Sequence, residues 1–131
     1  MPMIKLTFCL RRLPHLSPAQ FHGYWLNHHG PLVRSHAAAL GICRYVQTHA
    51  VETAFDTGLR ASRQAPEPFD GIAELWWADE ATFERSMRDP AARAAGKILL
   101  ADEQTFIDLP RSPVWLNREH EIVGAAAAAP A

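Results

Sequence analysis

Cysteine is scarce in this sequence, and the common metal-binding patterns are missing. The only two cysteines, Cys9 and Cys43, are too few for a disulfide framework and lack the spacing of metal ligands. The motifs H-E-x-x-H and C-x-x-C do not occur either. We therefore expect reduced thiols and no structural metal.

Long apolar runs and blocks of like charge are also missing. No apolar stretch reaches the roughly 18 residues that span a bilayer, and residues 1–5 show no signal-peptide pattern. The net charge is -1 without a run of Lys or Arg, so nothing favours nucleic acid or an anionic membrane. Glycine-rich phosphate loops are absent, so a nucleotide cofactor has no support. The sequence predicts a cytoplasmic protein with no cofactor, no nucleic-acid partner and no membrane partner.

The residues that are present fit one globular domain. Hydrophobic residues make up 48% of the chain and charged residues 21%, a balance typical of proteins that bury a core. A chain of 131 residues has room for one domain of ordinary size, which we place at residues 1–123. Residues 124–131 are mostly alanine and are predicted to form a low-complexity tail.

The chain contains two successive strand–helix–strand patterns. Strands are predicted at residues 3–10, 42–51, 69–77 and 114–123, from alternating apolar residues. The first helix begins at the capping box Ser17–Gln20, with Pro18 at its first position, and Gly30–Pro31 is expected to break it. Further helices are predicted at residues 31–40, 81–88 and 91–105. Residues 52–68 are predicted to form a long loop with room for a short helical turn. This order predicts an α+β, ferredoxin-like βαββαβ domain, with both helical layers on one face of an antiparallel sheet.

A sheet covered on one side leaves its other face to be buried. Trp76, Trp115 and Tyr45 are candidates for that uncovered face, and an exposed aromatic face of this size is typical of an interface. We therefore expect a homodimer in which two sheets close on each other as a dimeric α/β barrel, with a cavity between them.

Four blocks of the sequence resemble the EthD family. They are F-H-G-Y-W-L-N-H-H-G-P-L at residues 21–32, R-Y-V-Q-T-H at 44–49, F-D-G-I-A-E-L-W-W at 69–77 and L-A-D-E-Q-T-F-I-D at 100–108. The resemblance implies a ferredoxin-like protomer, a dimeric α/β barrel and a central pocket. It also implies that His29 is the family's signature histidine, although His28 doubles it here.

His29 and His49 are the candidate catalytic residues. An imidazole with a pKa near ~6.5 both takes and gives protons at neutral pH. His29 precedes the expected helix break, where a helix dipole favours the charged imidazolium, so either a proton donor or a simple helix cap fits. His49 alternates with Tyr45 and Gln47 on one strand face. We predict that this face lines the barrel cavity, because burying three polar tips under the helices is costly; the alternative is a hydrogen-bond network at the dimer interface.

The remaining candidates would bind or shape the substrate. Tyr45 and Gln47 would hold a carbonyl or hydroxyl, Trp25 and Trp76 would shape the pocket, and Glu74 would orient a histidine. Asp102 is expected to cap or pair at the surface.

These features together predict a cofactor-independent enzyme for a small hydrophobic or aromatic metabolite. Proton transfer by histidine would make it an isomerase, a decarboxylase or a dehydratase. The alternatives are a cofactor-free monooxygenase and a non-catalytic dimer that binds a small molecule or haem.

Overall fold

A four-stranded antiparallel sheet with helices on one face forms the protein, as a computed structural model describes it over residues 2–124. The strands are β1 (Ile4–Leu10), β2 (Arg44–His49), β3 (Gly71–Trp77) and β4 (Val114–Asn117). The α-helices are α1 (Pro18–Tyr24), α2 (Gly30–Leu40), α3 (Phe55–Arg63), α4 (Glu80–Ser86) and α5 (Pro90–Glu103), and a short 3-10 turn spans Leu109–Arg111. The predicted tail, residues 124–131, lies outside the described residues except for Gly124.

The strand order confirms the predicted ferredoxin-like topology. The strands lie in the order β2-β3-β1-β4, with every neighbouring pair antiparallel. Across the sheet, Leu75 of β3 pairs with Tyr45 on one side and Leu6 on the other, and Leu6 pairs in turn with Leu116. Because side chains alternate along each strand, these four residues point to the same face of the sheet.

The first helix begins as predicted but does not break at Gly30–Pro31. Ser17 caps it with the expected box, since its hydroxyl accepts the Gln20 N–H and the Gln20 side chain accepts the Ser17 N–H. Between α1 and α2, Trp25–His29 forms one π-helical turn in which the Gly30 N–H donates to the Trp25 carbonyl. A π turn widens the backbone by one residue and tolerates Pro31, which has no N–H to donate. The expected break is therefore wrong, and the helical path continues to Leu40.

The hydrophobic core lies between the sheet and the helical layer. Its central buried residues are Leu10, Phe21, Trp25, Ala73, Phe106 and Ile107. Alternate residues of β1 and β3 supply the sheet side, as the period of two in the sequence predicts. Trp25 is the largest of these side chains and is only 1% exposed, so the π-helical turn is anchored in the core.

Two segments differ from the predictions. Residues 52–68 carry the exposed helix α3, where a long loop was expected. The last strand ends at Asn117 instead of residue 123, and Glu119 beyond it accepts a hydrogen bond from the Trp76 indole. In residues 2–124 no helix is both long and apolar enough to cross a membrane.

Candidate functional site

The structure places Tyr45, Gln47 and His49 on the helix-covered face of the sheet. Tyr45 packs against the core cluster, and the Gln47 amide donates to the Trp25 backbone carbonyl at 2.8 Å. The prediction that these three residues line the open face is therefore wrong, and so is the assignment of Tyr45 to the dimer surface.

Burying the polar groups of Tyr45, Gln47 and His49 does not carry the expected free-energy cost, because each of them has a hydrogen-bond partner. The Gln47 amide also donates to the Tyr45 hydroxyl at 2.9 Å, and the Gln47 carbonyl lies 2.7 Å from the His49 Nε2. No buried side-chain nitrogen or oxygen in the described part of the chain lacks a partner. The π-helical turn supplies the acceptor for Gln47, and strand periodicity alone cannot reveal that contact.

Trp25 separates His49 from His29. The His49 ring stacks on the Trp25 indole, with centroids 4.4 Å apart and planes inclined by 9°. Close approach of Trp25 to β3 requires glycine at position 71, since a Cβ there would lie 2.4 Å from the Trp25 ring. Burial lowers the pKa of His49, and the neighbouring His22 lowers it further. The two predicted catalytic histidines therefore do not share a cavity.

Glu74 and Trp76 lie on the opposite, helix-free face of the sheet. Glu74 pairs with Lys5 at 2.7 Å, and the Arg44 guanidinium stacks on the Trp76 ring at 4.5 Å. Trp76 is only 4% exposed, whereas Trp115 is 47% exposed. The predictions that Trp25 and Trp76 shape one pocket and that Glu74 orients a histidine are wrong, since the sheet separates them.

His29 is held by a chain of three side chains. Its Nδ1 lies 2.7 Å from Asp102 Oδ2, and the Tyr24 hydroxyl donates to the other oxygen of the same carboxylate. The side chains of His29 and Asp102 are 6% and 10% exposed. His28 also approaches this carboxylate, with its Nδ1 3.6 Å from Asp102 Oδ1, but its ring stacks on Tyr24 and is largely open to solvent. The prediction that Asp102 pairs at the surface is wrong.

The electrostatics favour a neutral His29 against an ionised Asp102. Burial lowers the pKa of His29 below 6.5 and outweighs the opposing effect of Asp102. Burial raises the pKa of Asp102, but hydrogen bonds from Tyr24 and His29 outweigh it and leave the pKa below its usual value. Nδ1 then carries the proton and donates to the carboxylate, which leaves Nε2 as a free base. Of the two alternatives for His29, the lowered pKa disfavours a charged proton donor at a helix terminus.

His29 borders a small cavity between the sheet and the helices, which we call the inner cavity. It holds about 40 Å³, and its polar-tipped lining residues are Trp25, His29, Tyr45 and Glu103. His29 Nε2 makes no hydrogen bond within residues 2–124, and no buried polar side-chain atom there is unpaired. Nε2 therefore borders space that a water-sized molecule can reach.

A larger apolar groove adjoins the inner cavity. It holds about 510 Å³ between α2, α4, α5 and the sheet, and it shares Leu75, Leu99 and Glu103 with the inner cavity. Its walls are mostly aliphatic and aromatic, including Leu6, Trp77, Phe83, Met87 and Leu100. The groove and the inner cavity meet at their three shared residues, and together they make a candidate pocket with an apolar body and a polar inner end.

Sequence reasoning missed Tyr24 and Glu103 and misjudged Asp102. The signal was present on α5 and just beyond it, where Ala92, Ala95, Leu99, Asp102 and Phe106 recur at spacings of three and four residues. That stripe faces the core, so Asp102 belongs with buried residues. Among residues 2–124, no three His, Cys, Asp or Glu side chains are grouped to hold a metal ion.

The fold and this pocket define a ferredoxin-like α+β protein with a helix-side site, and solved structures share that fold. An EthD family protein from Bacillus halodurans is 21% identical with a TM-score of 0.59, over 90% of this chain and 99% of that one. A dimeric ferredoxin-like protein from Bacteroides fragilis is 9% identical with a TM-score of 0.56, over 89% and 96%. SnoaB from Streptomyces nogalater, a cofactor-independent oxygenase, is 13% identical with a TM-score of 0.53, over 95% and 100%.

The EthD domain model matches residues 13–110, which is more than half of the chain. The protein therefore belongs to the EthD domain family, as the four sequence blocks indicate. No curated protein sequence matches it significantly.

Proposed function

We propose that this protein is an enzyme that moves a proton on a small hydrophobic or aromatic molecule, with His29 as the base and without a bound cofactor. The observation that carries this proposal is the hydrogen-bonded series Tyr24–Asp102–His29, in which His29 lines the inner cavity and its Nε2 makes no hydrogen bond within residues 2–124. A buried base oriented by a carboxylate is the arrangement that general base catalysis needs.

Each member of the chain has a defined part in proton transfer. Asp102 accepts the Nδ1 proton, so Nε2 is the nitrogen that can take a proton from a substrate C–H or O–H. Once Nε2 is protonated, the Asp102 carboxylate stabilises the imidazolium that forms. Tyr24 fixes the second carboxylate oxygen and holds the carboxylate in place. His29 can act as a base only at a pH above its own pKa, which burial lowers.

The pocket supports an apolar substrate with one polar group. An inner cavity of about 40 Å³ accommodates one or two water molecules, or a group of the size of a carbonyl. The rest of the substrate would lie in the apolar groove, where hydrophobic burial supplies binding energy. Isomerisation, decarboxylation and dehydration all begin or end with a proton transfer that His29 can perform.

Oxygenation is the second candidate reaction. Deprotonating an electron-rich phenol at His29 gives an anion that can react with oxygen, so the base has the same part in both reactions. The support is that this fold is shared with a cofactor-independent oxygenase. At 13% identity, that similarity concerns the fold and no residue of the site.

A homodimer is part of the proposal. The helix-free sheet face carries the exposed Trp115, and a large apolar side chain there favours burial against a second copy. Ferredoxin-like proteins of this fold from Bacteroides fragilis and Thermobifida fusca are described as dimeric. Because the pocket lies on the other face, each protomer would carry its own site.

The experiment compares wild type with His29→Ala on aromatic ketones, aromatic β-keto acids and polyhydroxylated aromatics, followed by NMR. Loss of the general base should lower kcat by about 10²–10⁴-fold. His15→Ala, which changes an exposed histidine, is the matched control and should leave kcat unchanged. A His29→Ala variant that folds and turns over substrate at the wild-type rate would contradict the proposal.

A further inference from the structure

Glu103, the last residue of α5, is a half-buried carboxyl with no partner. Within residues 2–124 its side chain makes no hydrogen bond, and no Lys, Arg or His lies within salt-bridge distance. Its neighbour Asp102 is fully engaged with His29 and Tyr24. A partly desolvated carboxyl without a partner lowers stability, so it needs a reason other than folding.

The position of Glu103 supplies that reason. It lines both the inner cavity and the apolar groove, and so it lies where the two spaces meet. His29 borders the same inner cavity, and a cavity of about 40 Å³ brings a group bound there close to both side chains. A substrate whose body fills the groove would pass Glu103 to reach His29.

We propose that Glu103 is the second proton-transfer group of this site, and that in its protonated form it donates to the carbonyl oxygen of an apolar ketone. This inference rests on the proposed function, with His29 taking a proton from the carbon next to that carbonyl. The substrate class is then a small aromatic or alicyclic ketone that can form an enol. Such a ligand fits a pocket with apolar walls and a single polar end.

The step balances within the site. The substrate C–H bond breaks, its proton goes to His29 Nε2, and its electron pair becomes the C=C bond of an enol. The carbonyl oxygen gains the proton of Glu103, whose O–H bond breaks to leave a carboxylate. In the second half, the enol O–H proton returns to Glu103 and His29 delivers its proton to carbon. A simple enol takes that proton at the same carbon, so the ketone is recovered with its α hydrogen exchanged. The dienol of a β,γ-unsaturated ketone takes it at the γ carbon, so the product is the isomeric α,β-unsaturated ketone. Both side chains are restored in either case.

The surroundings keep the acid form of Glu103 available near neutrality. Burial raises its pKa from 4.5 to about 7, and the adjacent Asp102 charge adds to that shift. The sheet, α2 and α4 contribute apolar or uncharged side chains to the pocket around it. The titratable and charged groups that face the same spaces are His29, Tyr45, Arg93 and Lys97.

The first measurement is the affinity of two bicyclic ketones, 2-tetralone and 1-indanone, between pH 5.5 and 8.5 by amide NMR titration of the full chain. If protonated Glu103 donates to the ketone, affinity should fall about 30-fold across this range, following a pKa of about 7. Glu103→Gln keeps an N–H donor but does not titrate, so its affinity should change less than about threefold. Glu84→Gln, an exposed carboxyl on α4, should behave as wild type.

The second measurement is hydrogen–deuterium exchange next to the carbonyl of the same ketones, followed by proton NMR. Wild type should accelerate exchange, Glu103→Gln should lower the rate at least tenfold, and His29→Ala should abolish it. If His29→Ala abolishes exchange while Glu103→Gln keeps the wild-type rate and pH profile, the Glu103 inference fails and the proposed function stands.

Two other results would overturn one or both proposals. Ketone binding that depends on Glu103, without accelerated exchange in wild type, would overturn the proposed function and keep Glu103 as a ligand-binding acid. Absence of measurable binding of either ketone at millimolar concentration would overturn the ketone class and with it the inference.

Discussion

Replacing Glu103 with glutamine should stabilise the protein at alkaline pH and have little effect at acid pH. The folded-state pKa of Glu103 is about 7, against 4.5 for the free side chain. A group whose pKa is raised by folding contributes its full stability below pH 4.5 and loses it as pH rises through 7. Above that pH the native state holds an unpaired carboxylate in a partly desolvated site, whereas glutamine stays neutral.

The two pKa values set the size of this effect. Their difference corresponds to a loss of about 3 kcal/mol between pH 4.5 and 8.5, since one pKa unit is worth about 1.4 kcal/mol. Glu103→Gln lacks this loss, so its free energy of unfolding relative to wild type should rise by about 3 kcal/mol over that range. His29 acts in the opposite direction, because its lowered pKa costs stability as pH falls below 6.5. Comparing variant with wild type at each pH removes that common contribution.

Urea denaturation of both proteins at five pH values is the assay, at one fixed protein concentration because a dimer's stability depends on it. Glu84→Gln, which changes an exposed carboxyl on α4, is the control and should show no comparable trend. A constant difference between Glu103→Gln and wild type from pH 4.5 to 8.5 would refute the reasoning. It would mean that the Glu103 carboxyl is solvated or paired in the native state.

Four further predictions test the pocket, the exposed helix α3 and the sheet faces. Gly71→Ala should destabilise the protein by about 1–3 kcal/mol in thermal unfolding, because its Cβ would lie 2.4 Å from the Trp25 ring and 2.7 Å from the Thr48 carbonyl. Gly58→Ala, in an exposed helix with no atom within 4 Å, should instead stabilise by up to about 1 kcal/mol. NMR titration of His29 should give a midpoint below 6.5, and a midpoint above 6.5 would contradict a neutral imidazole. Trp115→Arg should shift a dimer toward monomer in light scattering, and an unchanged mass would argue against an interface on that face.

Local signals in the sequence predicted the secondary structure well. The capping box at Ser17 starts the first helix where expected, and the Asp79 side chain caps the start of α4 in the same way, because both satisfy free backbone N–H groups within a few residues. Alternation along β1 correctly groups Leu6 with Leu10, and the element order predicts the antiparallel sheet. The nine-residue helix α3 is longer than the short helical turn expected in this loop, and its apolar residues Phe55 and Leu59 are exposed.

The candidate site was predicted only in part. His29 emerged from the sequence, but its partners Tyr24 and Asp102 are 5 and 73 residues away along the chain, and only folding brings them together. Asp102 was assigned to the surface, and its neighbour Glu103 was not recognised as a candidate. The stripe of buried residues on α5 marks Asp102, whereas nothing local marks Glu103.

The sequence by itself determined that Tyr45, Gln47 and His49 share one strand face, because side chains alternate with a fixed period of two. It did not determine which side of the sheet that face meets. The tertiary structure decided this, because the π-helical turn at Trp25–His29 offers Gln47 a backbone acceptor and packs Trp25 against His49. Burying polar side chains is costly only while they lack partners, and their partners here lie on another element. Polar residues such as Tyr45 and His29 can therefore line a pocket between the sheet and the helices, where the sequence had predicted a cavity on the open face.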